Sequence, residues 1–161
     1  MVKGKIPATN AIRFLKEKKV HFNHFFYTYQ KEDVAKAAAV DVGVSAHKVV
    51  KTLIMVDEHE EPFIILMHGD MRVSTKRLAR KMEKKTVRPA DQKTAEKLTG
   101  YKVGGISPFG TRKELPVYVE ETVLQLPTIY INGGRRGFLI EIAPSDLLKV
   151  LKPTPVNVAM Q

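Results

Sequence analysis

The residue types able to do chemistry in this sequence gather in a few short stretches. Residues 98–110 read Leu-Thr-Gly-Tyr-Lys-Val-Gly-Gly-Ile-Ser-Pro-Phe-Gly, with four glycines, a proline and three hydroxyl side chains. The adjacent Gly104 and Gly105 permit backbone angles that a Cβ would forbid, and they leave amide N–H groups uncovered. Successive amides of this kind form a concave nest that suits an anion, or a carbonyl oxygen gaining charge. A tight connecting loop is the plainer reading of the glycine pair alone. A second glycine loop, Asn132-Gly133-Gly134-Arg135-Arg136-Gly137, sets two arginines between glycines. As residues alone these suit a phosphate contact and a polar hairpin turn about equally.

A lone cation stands in the apolar run Val49-Val50-Lys51-Thr52-Leu53-Ile54-Met55-Val56. Such a lysine either snorkels from an edge or sits in a pocket with an anionic partner. Tyr27, taken alone, is a half-buried strand aromatic with its hydroxyl in water. The common catalytic signatures do not occur. Ser45, Ser74, Ser107 and Ser145 show no nucleophile-elbow pattern, and there is no His-Glu-x-x-His or phosphate-loop motif. His21 and His24 lie three apart in a predicted strand, so they face opposite ways and cannot share a metal. Glu141 and Asp146 flank Pro144, where they suit strand polarity and helix charge better than a paired-carboxylate site. No cofactor and no metal are expected.

The elements that must position these groups are readable from periodicity and punctuation. Thr9 or Asn10 caps a first helix carrying Ile12, Phe14 and Leu15, and Phe22 to Tyr29 is β-prone. Glu32 to Val42 is helical and stops at Gly43, and Ser45 caps a short turn. Val49 to Val56 and Pro62 to Met67 form a hairpin around the acidic turn Asp57 to Glu61. Ser74 opens a basic helix through Lys81, and Ala90 to Leu98 is another, with Gly100 as its stop. Leu115 to Val119, Pro127 to Ile131 and Phe138 to Ile142 read as strands, and Pro144 to Leu151 as the last helix. Hairpins mixed with peripheral helices predict a single α+β domain around one curved mixed sheet. That domain spans residues 1–151, followed by a loose C-terminal tail over residues 152–161.

With 161 residues the chain supports one domain with a core. Hydrophobic residues at 43% and charged residues at 27% exclude a disordered chain. No cysteine is present, which excludes disulfides, thiolate metal sites and a cysteine nucleophile. Residues Met1 to Lys5 lead into a polar helix pattern and no apolar run reaches the ~20 residues of a membrane span, so a cytoplasmic protein without a signal peptide is expected. The net charge of +10 favours a polyanionic partner. Lys76, Arg77, Arg80, Lys81, Lys84, Lys85 and Arg88 supply one basic stretch. RNA-binding signatures that read bases are absent, so contact would be to backbone and shape.

Three segments together, Gly43 to Val56, Thr99 to Gly110 and Ile129 to Pro144, resemble the YbaK family. That family includes the editing domain inserted in many bacterial prolyl-tRNA synthetases, and its members hydrolyse the ester of wrongly charged tRNA. The resemblance implies the closed-up mixed sheet of that fold. It places Lys51, with Thr52 beside it, on the family's essential lysine, which would hold the 3′-terminal phosphate or polarise the ester. It places Tyr27 on a pocket tyrosine, and Gly104 on the glycine that positions the aminoacyl carbonyl, with Gly105, Ile106 and Ser107 continuing the cradle. Asn132, Gly133, Gly134, Arg135 and Arg136 match the second loop, where a basic residue meets the tRNA end.

The match departs at Thr28 to Val42, where Cys-specific members often carry a longer loop with a Phe-Gly pair, and at Asn132, where a serine is frequent. What the resemblance implies is a trans-acting deacylase nearest the Cys-tRNA(Pro) deacylase branch, working by cyclisation of the substrate's own thiol. Its partners would be the acceptor end of mischarged tRNA and prolyl-tRNA synthetase, with no membrane. Two alternatives stay open: an Ala-tRNA(Pro) deacylase using a positioned water, and a non-catalytic basic RNA-binding module.

Overall fold

The apolar run around Lys51 folds as the long central strand that its β-branched content predicts. A computed structural model describes residues 5–161. Residues 1–4, on which the signal-peptide expectation partly rests, lie outside the described residues. Strand β2 (Val49–Asp57) turns back into β3 (Pro62–His68), and the two pair antiparallel from Val50↔His68 to Val56↔Pro62. Asp57 closes the turn by accepting from the amides of His59 and Glu61 at 2.8 and 3.0 Å.

Around this hairpin lie β1 (Asn23–Phe26), β5 (Val87–Pro89), β6 (Val117–Glu120), β7 (Ile129–Asn132), β8 (Phe138–Ile142) and β9 (Thr154–Val156). The sheet order is β1-β8-β7-β2-β3-β6-β9, and β5 pairs with the far end of β2. Strand β7 runs parallel to β2, and β6 parallel to β3 and to β9, while the other pairs are antiparallel, so the sheet is mixed as expected. A separate two-stranded ribbon joins β4 (Arg72–Val73) to β10 (Ala159–Met160).

Strand alternation sorts the core into two faces. One face carries Val50, Ile54, Ile64, Leu66, Ile131 and Ile140. It packs against Ile12 and Leu15 of α1 (Asn10–Glu17) and Leu147 of α5 (Pro144–Leu151). The opposite face carries two clusters. Met55, Phe63, Ile65 and Met67 pack on Leu78 of α3 (Thr75–Lys81), while Val49, Tyr130, Leu139 and Tyr27 pack on Ala38 and Ala39 of α2 (Val34–Val42). Between these two clusters, on the same face, stands Lys51.

Thr9, Ser74 and Asp91 cap α1, α3 and α4 (Gln92–Thr99) through their side chains, and Gly43 and Gly100 end α2 and α4 at positive φ. Helix α2 starts later than its alanine pattern suggests. Asp33 sits at φ 48°, left-handed backbone that cannot belong to the helix it precedes, and its side chain makes no cap.

The tail is the clear correction. Expected to be loose, residues 152–161 instead supply β9 and β10, with Val156 and Val158 buried in the core under α3. Its prolines fit an edge strand, where a missing N–H costs nothing, and its two valines have a hydrophobic slot to fill. No helix among the described residues is long and apolar enough to cross a membrane.

Candidate active site

The two glycine loops meet. Tyr101 closes the first by donating its hydroxyl to the Phe109 carbonyl at 2.5 Å, and the Gly105 amide donates to Lys102 within it. Gly104 takes φ 91°, and a Cβ there would stand 2.5 Å from the Tyr29 hydroxyl, so a larger residue would strain the backbone and push the Tyr29 ring aside. A Cβ on Gly105 would stand 2.6 Å from the Arg136 amide, which shows how closely the second loop presses on the first.

Asn132 joins them. Its Oδ1 accepts from the amides of Gly134 at 2.6 Å and Arg135 at 3.0 Å, and its Nδ2 reaches the Gly104 carbonyl at 3.4 Å. A serine could not serve both loops, because one hydroxyl lacks the two separated ends of an amide. Arg136 adds a second tie: its Nε donates to the Val103 carbonyl at 2.8 Å, and its guanidinium lies 4.9 Å over the Tyr29 ring. Thr9 donates to the Gly133 carbonyl at 2.6 Å, so the cap of α1 also anchors the second loop. Gly133 itself lies against the Phe138 ring, which leaves no room for a side chain.

Tyr27 follows β1 as extended chain, with its amide donating to the Gly137 carbonyl at 2.9 Å. Burial pushes its phenol up, partly offset by hydrogen bonds involving the Gly137 backbone and Asn132. A cavity of about 620 Å³ opens here, lined by Tyr27, Tyr29, Asp41, Arg135 and Arg136 among others. Its size suits a small ligand or the end of a larger one. Tyr29 is a site residue that sequence reasoning missed; only its place two residues after Tyr27, on the same face of an extended chain, signalled it.

Lys51 belongs to the same face. Val50 pairs with Ile131 in the parallel β2/β7 ladder, so one residue on, Lys51 and Asn132 share a face with Leu139 and Tyr27. Its ammonium donates to the Met71 carbonyl at 2.5 Å. Burial lowers its pKa from the ordinary lysine value, Asp70 pulls it back up, and Arg72 adds to the lowering.

At three of the expected positions the side chain is taken up by the fold. Thr52 has the opposite parity to Lys51, that of Val50 and Ile54, and its hydroxyl is buried without a partner. Ser107 is fully buried, and its Oγ accepts from the Phe109 amide at 3.2 Å. Ile106 packs against the α1 side of the core. Gly105 spends its amide on Lys102, so its part is spacing.

Beside Lys51 lies a polar cluster that sequence reasoning also missed, because its members are far apart in the chain. His47 approaches Asp70 at 3.0 Å and stacks on His68, ring centroids 3.7 Å apart. His68 Nδ1 meets the His47 carbonyl at 2.7 Å and Nε2 the Thr122 hydroxyl at 2.6 Å. Burial lowers the His68 pKa. His47, His68 and Asp70 bring ligand-type atoms within 4.8 Å of one another, but both ring nitrogens of His68 are already engaged.

A family model described as the aminoacyl-tRNA editing domain matches residues 30–150. A candidate Cys-tRNA(Pro)/Cys-tRNA(Cys) deacylase, EbsC of Enterococcus faecalis, is 31% identical over 88% of this chain and 87% of its own. A proline–tRNA ligase of Thermodesulfovibrio yellowstonii is 26% identical over 68% of this chain, which spans only 18% of that enzyme. Among solved structures, the hypothetical protein APE2540 superposes with a TM-score of 0.83 at 27% identity, covering 94% of this chain and 99% of the other. A candidate trans-editing enzyme for prolyl tRNA synthetase shares the fold with a TM-score of 0.80 at 24% identity, covering 97% of this chain and all of the other. The chain belongs to the aminoacyl-tRNA editing domain family, a family of deacylating enzymes.

Proposed function

We propose that this chain is a trans-acting deacylase that removes cysteine from Cys-tRNA(Pro), with the substrate's own thiol as the nucleophile. One observation carries the reading: Gly104 lies against Tyr29, which lines the cavity together with Tyr27, while the loop's serine, Ser107, is buried and committed to Phe109. The cradle suits an ester carbonyl, and the loop brings no hydroxyl to attack it. The similarity to EbsC, whose name gives cysteine as the residue removed, supports the choice of amino acid.

In the reaction proposed, the cysteinyl sulfur attacks its own ester carbonyl. The S–C bond forms, the ester C–O bond breaks, and the thiol proton ends on the ribose oxygen, giving a cyclic thioester and uncharged tRNA. A thiol with a pKa of about 8.5 is ionised far more readily than a hydroxyl and is more nucleophilic than water. The attack is intramolecular, so the protein's task is to select the bent conformer and support the developing oxyanion. The backbone at Gly104 takes the oxyanion, Lys51 polarises the ester or holds the terminal phosphate, Tyr27 walls the pocket, and Arg135 meets phosphate. Prolyl-tRNA synthetase, which makes the mischarged substrate, is the natural protein partner, and the cytoplasm the place of action.

A deacylation panel of Cys-, Ser-, Ala- and Pro-tRNA(Pro) tests this. The expected result is rapid loss of cysteine and slow loss of serine, its near-isostere. S-methylation of the substrate should stop cleavage without abolishing binding. Rapid cleavage of Ala-tRNA(Pro) would overturn the thiol mechanism, since alanine brings no nucleophile, and would point to a positioned water.

A further inference from the structure

One buried carboxylate, on a strand remote from the cradle, holds both ends of the turn that supports Lys51. The turn runs from His68, the last residue of β3, to Val73 in β4, and it presents the Met71 carbonyl to the Lys51 ammonium. Glu120, at the end of β6, is 1% exposed. Its Oε2 accepts from the Thr122 amide at 3.4 Å and lies 3.1 Å from the Thr122 hydroxyl oxygen, which is 2.6 Å from His68 Nε2, at the start of the turn. Its Oε1 accepts from the amides of Val158 at 2.7 Å and Ala159 at 2.9 Å.

Those amides belong to the C-terminal ribbon, which holds the other end of the turn. Ala159 pairs with Val73 and Met160 with Arg72, and the Ser74 amide donates to the Val158 carbonyl at 2.8 Å. Arg72 also donates to the Gln161 carbonyl at 2.7 Å. A buried carboxylate costs free energy unless its oxygens are satisfied, and here each oxygen serves one end of the same short turn. Fixing both ends fixes Met71 between them.

From this geometry we propose that Glu120, acting through Thr122 and the C-terminal ribbon, is a positioning group for Lys51. The proposal rests on the reading above that Lys51 serves the reaction. Glu120 touches nothing in the cavity. It acts by holding the carbonyl that aims the ammonium, and small misplacements of a reacting group carry large rate penalties.

The test uses the full-length protein and Cys-tRNA(Pro). Glu120→Gln is the direct variant, but it can fail to fold, so Thr122→Val and Thr122→Ser carry the experiment. Thr122→Val should lower kcat on the order of tenfold per folded molecule with KM little changed, and Thr122→Ser, which keeps the hydroxyl, should restore it. Added to Lys51→Ala, Thr122→Val should cost nothing more, because its effect passes through Lys51. A Thr122→Val enzyme that keeps the parental kcat, or a loss that adds in full to that of Lys51→Ala, overturns the positioning role while leaving the function intact. Parental activity in Lys51→Ala itself overturns the role of Lys51, and this proposal with it.

Discussion

The two glycine loops touch main chain to main chain and are tied by side chains of their own neighbourhood, whereas the turn beneath Lys51 is held from distant parts of the chain, by a buried polar relay and the C-terminal ribbon. At the loops, Gly105 lets one main chain approach another within a Cβ's width, and Asn132 braces its own loop with two hydrogen bonds while a third reaches the Gly104 carbonyl. At the turn, His68, Thr122 and Glu120 form a chain of buried polar groups ending on the C-terminal ribbon. The difference separates two tasks. On the proposed reading, the carbonyl cradle has to keep its shape, which close packing provides without a titrating group. On the same reading, Lys51 has to stay charged and aimed, and the carbonyl it donates to is set by a turn resting on buried polar groups, where burial makes each partner matter more.

Lys51→Ala should break the second region with the largest effect, lowering deacylation on the order of 10²-fold or more in a folded protein, as loss of one oxyanion donor does. Steady-state kinetics with circular dichroism as the folding control measures it. Activity within a few-fold of the parent would remove Lys51 from the mechanism. The parent should also lose kcat as pH rises through the Lys51 pKa. Because burial lowers that pKa, the ammonium is lost, and the rate with it, at a pH below the ordinary lysine range. The alkaline limb should be missing from the residual activity of Lys51→Ala.

Gly104→Ala should break the first region. The methyl group would meet Tyr29 and would hold a positive φ against its preference, a combination worth about 2–4 kcal/mol of strain. The expected result is a lower melting temperature and a kcat reduced about tenfold, with an unchanged pH profile, since no titrating partner of Lys51 is touched. A shifted alkaline limb in this variant would mean that the two regions are coupled.

This division also explains what was legible in the sequence. The loops were readable because glycine pairs, an Asx residue and flanking strands are local signals, and the central hairpin was readable because the apolar run is long and bounded by an acidic turn. Lys51 stood out as a cation among valines. What stayed hidden depends on long-range partners. Glu120 and Thr122 look like ordinary strand-end residues until Val158 and His68 arrive beside them. The tail looked loose because its prolines break periodicity, yet Val156 and Val158 fill a slot that only the folded sheet creates. Strand alternation alone turns Thr52 to the face opposite Lys51.

The smallest expected effect separates the two arginines of the second loop, which the sequence treats as a pair. Both are exposed and line the cavity, but Arg136 also donates to the Val103 carbonyl and covers Tyr29, while no such tie engages the Arg135 side chain among the described residues. If Arg135 contacts a phosphate of the acceptor end, Arg135→Ala should weaken tRNA binding by a few-fold. It should also flatten the plot of log affinity against log salt by about one unit, the share of one phosphate contact. Catalysis at saturating tRNA should be nearly unchanged, because a phosphate contact remote from the ester contributes equally to ground and transition states. Arg136→Ala should behave differently. It removes a tie between the loops, so kcat should fall by a few-fold, and the salt slope should move less than in Arg135→Ala. Binding titrations at several salt concentrations, paired with single-turnover rates, read both quantities. Identical changes in slope and rate for the two variants would show that Arg136 reaches phosphate despite its hydrogen bond to Val103, and that the loop contact does not depend on it.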